Sequence, residues 1–200
     1  VFQLRDGVRW HDGQPFTAKD VACTFDLLLS PDKLRRNPRS AWYSNVEKVT
    51  ADAPFEATFH LKHPQPSLLA LLASGYSPIY PCHVPAADMR RKPIGTGPFM
   101  FAELKQNESM RVVRNPNYWK PGKPYLDGVE YTIIPNRSTA ILAFQSSKFD
   151  MIFPFEVTVP LVGDIKANRP DAICAALRDV TGILGASATV TYTSSGYTSL

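Results

Sequence analysis

The chain has 200 residues, 44% of them hydrophobic and 20% charged, which is enough to bury a core and unlike a disordered tail or a membrane bundle. Its net charge is only +4, from 22 Lys and Arg against 18 Asp and Glu, and the longest basic run is Arg90-Arg91-Lys92. The one-sided basic cluster of a nucleic-acid module is therefore missing, and no apolar run approaches the roughly 18 residues that span a bilayer.

Eighteen prolines spread along the chain predict many short elements rather than long helices. Cys23, Cys82 and Cys174 lie far apart with no C-x-x-C pair. That spacing is neither a disulfide framework nor a zinc ribbon. The odd number leaves at least one free thiol, and all three can serve as small apolar fillers. Val1 falls inside a strand-like stretch with no initiating Met or leader, as expected of a chain whose leader has been removed or of a fragment.

In chain order, the alternating stretch Val1–Arg5 meets Asp6-Gly7, and Val8-Arg9-Trp10 meets Asp12-Gly13. Two Asp-Gly turns so close together predict a hairpin-like ribbon. A helix follows over 17–29. Thr17 can cap it, Asp20 completes a variant capping box, and Phe16 and Val21 occupy the staple positions. Val21, Phe25, Leu28 and Leu29 recur at helical spacing and form its buried face, and Pro31 ends it. Residues 31–41 read as a basic, polar loop.

Val46–Thr50 reads as a strand, and 55–61 as a half-buried antiparallel one. In the latter Phe55, Ala57, Phe59 and Leu61 face one way, and Glu56, Thr58 and His60 the other. Ser67 can cap a short leucine-rich helix, and Tyr76–Pro85 runs extended. Gly95-Thr96-Gly97-Pro98 opens a strand pair at 99–104 and 110–114, turning at Gln106-Asn107-Glu108. A compact turn holds Tyr118 and Trp119. From Gly128 the texture changes: a strand at 129–133, a helix capped by Ser138, a strand at 149–153 and a helix over 156–167. That succession predicts a βαβ unit beside a parallel sheet, with a domain boundary near Asp127-Gly128. The stretch 181–200 has no charge, little apolar mass and one weak strand near Thr189–Thr193, so it is expected to be loosely ordered.

Chemistry is sparse. His60 and His63 sit at odd spacing on a strand and face opposite sides, and His83 beside Cys82 is a poor chelate, so no metal site is expected. The sequence has no G-x-S-x-G or H-E-x-x-H. Pro98 removes an N–H that a phosphate loop would need, so Gly95–Gly97 reads as a tight turn into a strand. The loop aromatics Trp42, Tyr43, Tyr76 and Tyr80 suit apolar contact with a ligand, whereas Tyr118-Trp119 reads as cover for a core edge. Arg39, three residues before Trp42, has two readings of equal weight. It recognises a carboxylate-bearing ligand beside an indole wall, or it is a surface arginine stacked on Trp42.

Several longer motifs carry a resemblance. F-x-L-R-x-G-V-x-W-H-D-G-x-P-F-T-A-x-D-V at Phe2–Val21, I-G-T-G-P-F at Ile94–Phe99, R-N-P-x-Y-W at Arg114–Trp119 and K-P-Y-L-D-G at Lys123–Gly128 fall in order. With I-P-x-x-S-T at Ile134–Thr139 and Phe149-Asp150, they make residues 1–175 similar to the extracytoplasmic solute-binding proteins, family 5, of peptide and nickel ABC importers. The resemblance implies a binding protein and not an enzyme, with no cofactor. It implies a mixed α/β, partial type II periplasmic-binding-protein fold, located in the periplasm or otherwise outside the cytoplasm, with a lipoprotein tether as one form. Residues 1–127 then look like most of a domain appended to the first lobe, 128–178 like part of that lobe, and 179–200 like a non-matching tail. The implied partners are a small peptide or similar solute and the importer's permease subunits, with no nucleic acid.

Arg39-Ser40-Ala41-Trp42 is similar to an R-x-A-W stretch whose Arg and Trp line the ligand cleft of nickel-type members. Near Ser74 those members carry a carboxylate-binding arginine that this chain lacks. The resemblance fixes neither nickel nor peptide. Two other readings remain: a truncated product with no ligand binding of its own, and a hydrolase.

Overall fold

A computed structural model of the chain describes residues 1–30, 40–152, 157–177 and 187–191. Its backbone divides into two compact units, Val1–Tyr131 and Thr132–Leu200. Among the described residues no helix is long and apolar enough to cross a membrane.

The first unit begins as its turns dictate. Gly7 and Gly13 adopt φ of 75° and 87°, a region open to glycine at little cost. The ribbon between them is closed by Trp10 N–H to Gln14 O at 2.8 Å and Phe16 N–H to Val8 O at 2.9 Å. Strand β1 (Phe2–Gln3) pairs antiparallel with β3 (Glu56–Leu61), whose other edge pairs with β2 (Val46–Ala53), giving the order β1-β3-β2. Helix α1 (Ala18–Leu29) lies on this sheet, and its apolar stripe meets it: Val21 and Phe25 are buried with Val46, Ala57, Tyr43 and Leu68. Phe25 packs edge-on against both Tyr43 and Phe59, at 5.3 and 4.8 Å between ring centroids. Leu68 comes from the short helix α2 (Leu68–Ala73), and a single turn, α3 (Ala86–Met89), follows the extended stretch after it.

Cys23 on α1 and Cys82 in that extended stretch form a disulfide, with Cα atoms 6.1 Å apart. This corrects the reading of the cysteine spacing as no disulfide framework, with all three cysteines able to serve as fillers. Sequence spacing says nothing about two positions 59 residues apart that the fold brings face to face.

A second sheet has the order β4-β5-β6, from β4 (Phe99–Lys105), β5 (Ser109–Arg114) and β6 (Gly128–Thr132). The β4–β5 hairpin is the one read from the sequence, with Asn107 at φ 61° in its turn. Strand β6 joins this hairpin, and the backbone divides after Tyr131, shortly beyond the change of texture at Gly128.

The second unit contains α4 (Arg137–Gln145), β7 (Met151–Ile152), α5 (Val159–Asn168), β8 (Ile173–Leu177) and β9 (Ser187–Thr191). Asn136, not Ser138, caps α4, accepting from Thr139 N–H at 3.0 Å. Phe144, Ile165, Ile152 and Ala172 form the core of this unit. The strand order is β7-β9-β8 and both pairings are antiparallel. Two expectations change here. Strand β6 belongs to the other sheet, so among the described residues no βαβ crossover joins adjacent parallel strands. Within the stretch expected to be loosely ordered, Ser187–Thr191, close to the weak strand read near Thr189–Thr193, forms the central strand. Backbone pairing on both sides of this strand compensates for the low apolar mass that made it look weak.

Candidate functional site

The residues that carry the family resemblance meet inside the first unit. His11 donates its backbone N–H to Gly95 O at 2.9 Å, its Nδ1 accepts from Gly95 N–H at 3.0 Å, and its Nε2 lies 3.0 Å from Gly97 O. Since Nδ1 accepts, the ring proton sits on Nε2 and bonds the Gly97 carbonyl. Asn115 Nδ2 donates to that same carbonyl at 3.0 Å, and Asn115 N–H bonds Pro98 O at 2.8 Å. The Arg5 guanidinium lies 4.5 Å from the Trp119 ring centre. Arg114 bonds the carbonyls of Tyr125 and Leu126 and pairs with Asp127 at 2.8 Å. Three separate motifs therefore fasten one another. Gly95–Gly97 is a turn clamped through the Gly95 N–H and the Gly95 and Gly97 carbonyls.

His60 and His83 are held by similar bonds. His60 Nε2 lies 3.1 Å from Thr50 Oγ1, and His83 Nε2 lies 2.6 Å from Asp12 Oδ2. Asp12 also accepts from Gln14 N–H. Burial works to raise the Asp12 pKa, but the His83 hydrogen bond and charge, with the Gln14 N–H, outweigh it and hold the group below the usual 3.8. Among the described residues no group of three His, Cys, Asp or Glu side chains could hold a metal ion. An apolar cavity of about 340 Å³ lies against α1, but its lining of Phe2, Leu4, Phe16, Phe25, Phe59 and neighbours is the core cluster itself, with no charged group to orient a solute.

The candidate ligand side is the loop before β2. Arg39 lies outside the described residues. Trp42 belongs to a 3-10 turn, Ser40–Tyr43, and is 44% exposed. Its ring meets that of Tyr76, itself 58% exposed, at 5.8 Å and 80°. Behind them Tyr43 is buried and its hydroxyl lies 2.6 Å from Ser77 Oγ. Ser74 bonds Leu71 O at the end of α2. Sequence reading singled out Trp42 and Tyr76 as loop aromatics, but 34 residues separate them and no local signal pairs them.

This mixed α/β arrangement is that of the type II periplasmic binding proteins. A solved structure of MoaA from A. tumefacien R10 with mannopinic acid superposes with a TM-score of 0.77 at 26% identity, over 89% of this chain and 36% of that one. The oligopeptide-binding protein AppA of Bacillus subtilis with a nonapeptide gives 0.73 at 28% identity, over 87% and 35%. The chain belongs to the bacterial extracellular solute-binding proteins, family 5, whose middle-region profile matches residues 1–185. That is a family of binding proteins and not of enzymes. In sequence the chain is 34% identical to Oligopeptide-binding protein AppA of Bacillus subtilis (strain 168) over 154 residues, 72% of this chain and 28% of that protein. It is 30% identical to the Nickel-binding periplasmic protein of Escherichia coli (strain K12) over 169 residues, 80% and 31%. It thus spans less than a third of the length of these curated relatives.

Proposed function

We propose that the chain is part of the substrate-capturing component of an ABC-type importer, which takes a small peptide or related solute outside the cytoplasmic membrane and delivers it to membrane permease subunits. Family membership supports the general role. The observation that carries the ligand side is the exposed Trp42–Tyr76 ring pair, standing on the Tyr43–Ser77 hydrogen bond. Aromatic walls suit the apolar part of a solute, and Arg39, three residues before Trp42 in the sequence, suits a carboxylate part. The Cys23–Cys82 disulfide favours an oxidising compartment, in agreement with an extracytoplasmic location. Because the chain spans under a third of its relatives, the opposing wall of a closed cleft would come from residues outside it.

The test uses the longest chain that the gene encodes. Calorimetry against di- to nonapeptides, with nickel–histidine as the competing chemistry, identifies the class of solute. For a carboxylate-bearing ligand, Arg39→Ala weakens binding by about 1.5–3 kcal/mol, the scale of a charged hydrogen bond. Arg39→Lys recovers only part of that, since a point charge cannot reproduce a planar fork. Unchanged affinity in Arg39→Ala would leave Arg39 as a solvated residue stacked on Trp42 and remove it from the ligand side.

A further inference from the structure

Two dipeptides face each other in the first unit. Trp42-Tyr43 lies in the 3-10 turn, and Tyr76-Ser77 lies just beyond α2. They meet twice, once inside and once outside. The inner contact is Tyr43 Oη to Ser77 Oγ at 2.6 Å, and the outer one is the edge-on meeting of Trp42 and Tyr76.

The direction of the inner hydrogen bond follows from what lies behind it. Ser77 Oγ is 2.8 Å from the Leu71 carbonyl, which can only accept. Serine has one hydroxyl proton, and it goes there, so the Tyr43 hydroxyl donates to Ser77. Tyr43 is 1% exposed, and its ring stands at 87° to Phe25 in the core under α1. A close-packed ring held at one end by Phe25 and at the other by Ser77 cannot slide without disturbing its neighbours. The outer rings sit one residue along the backbone from each member of this fixed pair. Their spacing is therefore inherited from the core.

We infer that Tyr43 is a positioning residue. Through Ser77 its hydroxyl sets the distance and tilt between Trp42 and Tyr76, and those two rings together, rather than Trp42 alone, receive an apolar side chain of a small peptide. The second half rests on the ligand-side reading of Trp42 proposed above. The first half does not.

The experiment uses the 200-residue chain labelled with 5-fluorotryptophan. Its three tryptophans, Trp10, Trp42 and Trp119, give three fluorine resonances, and Trp42→Phe identifies the one from Trp42. Tyr43→Phe keeps the ring against Phe25 and removes only the hydroxyl. The expected result is a displaced or broadened Trp42 resonance with those of Trp10 and Trp119 in place, reproduced by Ser77→Ala, which breaks the same bond from its other end and serves if Tyr43→Phe does not fold. General loss of structure would move all three. If Tyr43→Phe and Ser77→Ala both leave the Trp42 resonance unmoved, the positioning role is overturned.

The ligand half is read by titrating the dipeptide Ala-Phe to millimolar concentration, with Ala-Ala as the control, on this chain and on the longest chain that the gene encodes. Ala-Phe should shift the Trp42 resonance more than Ala-Ala does. Tyr43→Phe and Tyr76→Ala should each weaken the apparent affinity by about fivefold, the scale of one lost neutral hydrogen bond or ring contact. A Trp42 resonance that neither dipeptide moves on either chain overturns the ligand half, whatever the first measurement gives. Binding that survives Tyr76→Ala unchanged assigns the wall to Trp42 alone and overturns the two-ring receptor.

Discussion

The backbone N–H of Cys82 donates to Asp20 Oδ1 at 3.0 Å across 62 positions of sequence. The other oxygen, Oδ2, accepts from Thr17 N–H at 2.9 Å and from the Trp10 indole at 3.3 Å. Asp20 is 5% exposed, so one buried carboxylate ties the opening ribbon, the first turn of α1 and the disulfide-bearing stretch together. Charge is tolerated there because three donors replace the lost water.

Asp20→Asn is therefore expected to destabilise the first unit by about 1.5–3 kcal/mol, since an NH2 group would face an N–H where an acceptor is needed. Urea unfolding of the two proteins measures this. A midpoint within error of the wild type would mean that the three bonds contribute no net stability.

Glycines in the family-like motifs differ in what holds them. A Cβ on Gly128, the last residue of K-P-Y-L-D-G, would lie 2.6 Å from the Val112 carbonyl oxygen of the neighbouring strand, whereas one on Gly97 would meet nothing within 4 Å. Gly128→Ala should cost about 1–3 kcal/mol through displaced backbone, and Gly97→Ala should fall within about 0.5 kcal/mol of the wild type. Equal melting temperatures for the two variants would refute the close approach of β6 to β5.

What could be read in advance was local. Helix α1 announces itself through Thr17, Asp20 and an apolar stripe, β3 through strict alternation, and the β4–β5 hairpin through its polar turn. What could not be read depends on partners far away in sequence. Cys23 finds Cys82, β6 finds β5, and Ser187–Thr191 finds two strands at once. The tail looked poor because its composition lacks apolar mass, yet a strand paired on both edges is held by backbone groups that composition does not reveal. At the candidate site Trp42 stood out as a loop aromatic. Its relation to Tyr76, and the Tyr43–Ser77 bond beneath them, required the fold.

Acid should weaken the first unit partly through Asp12. A carboxylate whose folded pKa lies below its unfolded value adds stability above the unfolded value and loses it as pH falls through the folded one. With Asp12 held below 3.8 by His83 and Gln14, the loss is expected below about pH 4. Its size is under about 1 kcal/mol, because both partners are about a third exposed, at 37% and 35%. Asp52, held low by the Thr58 and Thr50 hydroxyls, acts in the same direction. Urea midpoints between about pH 3 and pH 6 should fall less steeply in Asp12→Asn than in the wild type. Identical slopes would show that the Asp12–His83 pair does not couple to folding.

Strand β9 carries the sharpest consequence for the second unit. Val190 lies opposite Ile152 of β7 on one edge and Cys174 of β8 on the other. Its backbone is flanked on both sides, so its N–H has a ladder partner whichever strand it faces. Proline there removes the donor and cannot be accommodated in a central strand. Val190→Pro should cost the second unit about 1–3 kcal/mol, the range for a hydrogen bond lost with its partner left unpaired. Amide exchange across Ile173–Leu177 should accelerate at the same time, because β8 loses the strand that pairs with it. Deleting 186–200 should have the same effect, more strongly, and leave the unfolding of Val1–Tyr131 where it was. A tail that merely trails from the molecule predicts the opposite, a change within about 0.5 kcal/mol for both variants. If Val190→Pro leaves exchange at Ile173–Leu177 unaltered, β9 does not complete this sheet, and the expectation drawn from composition holds after all.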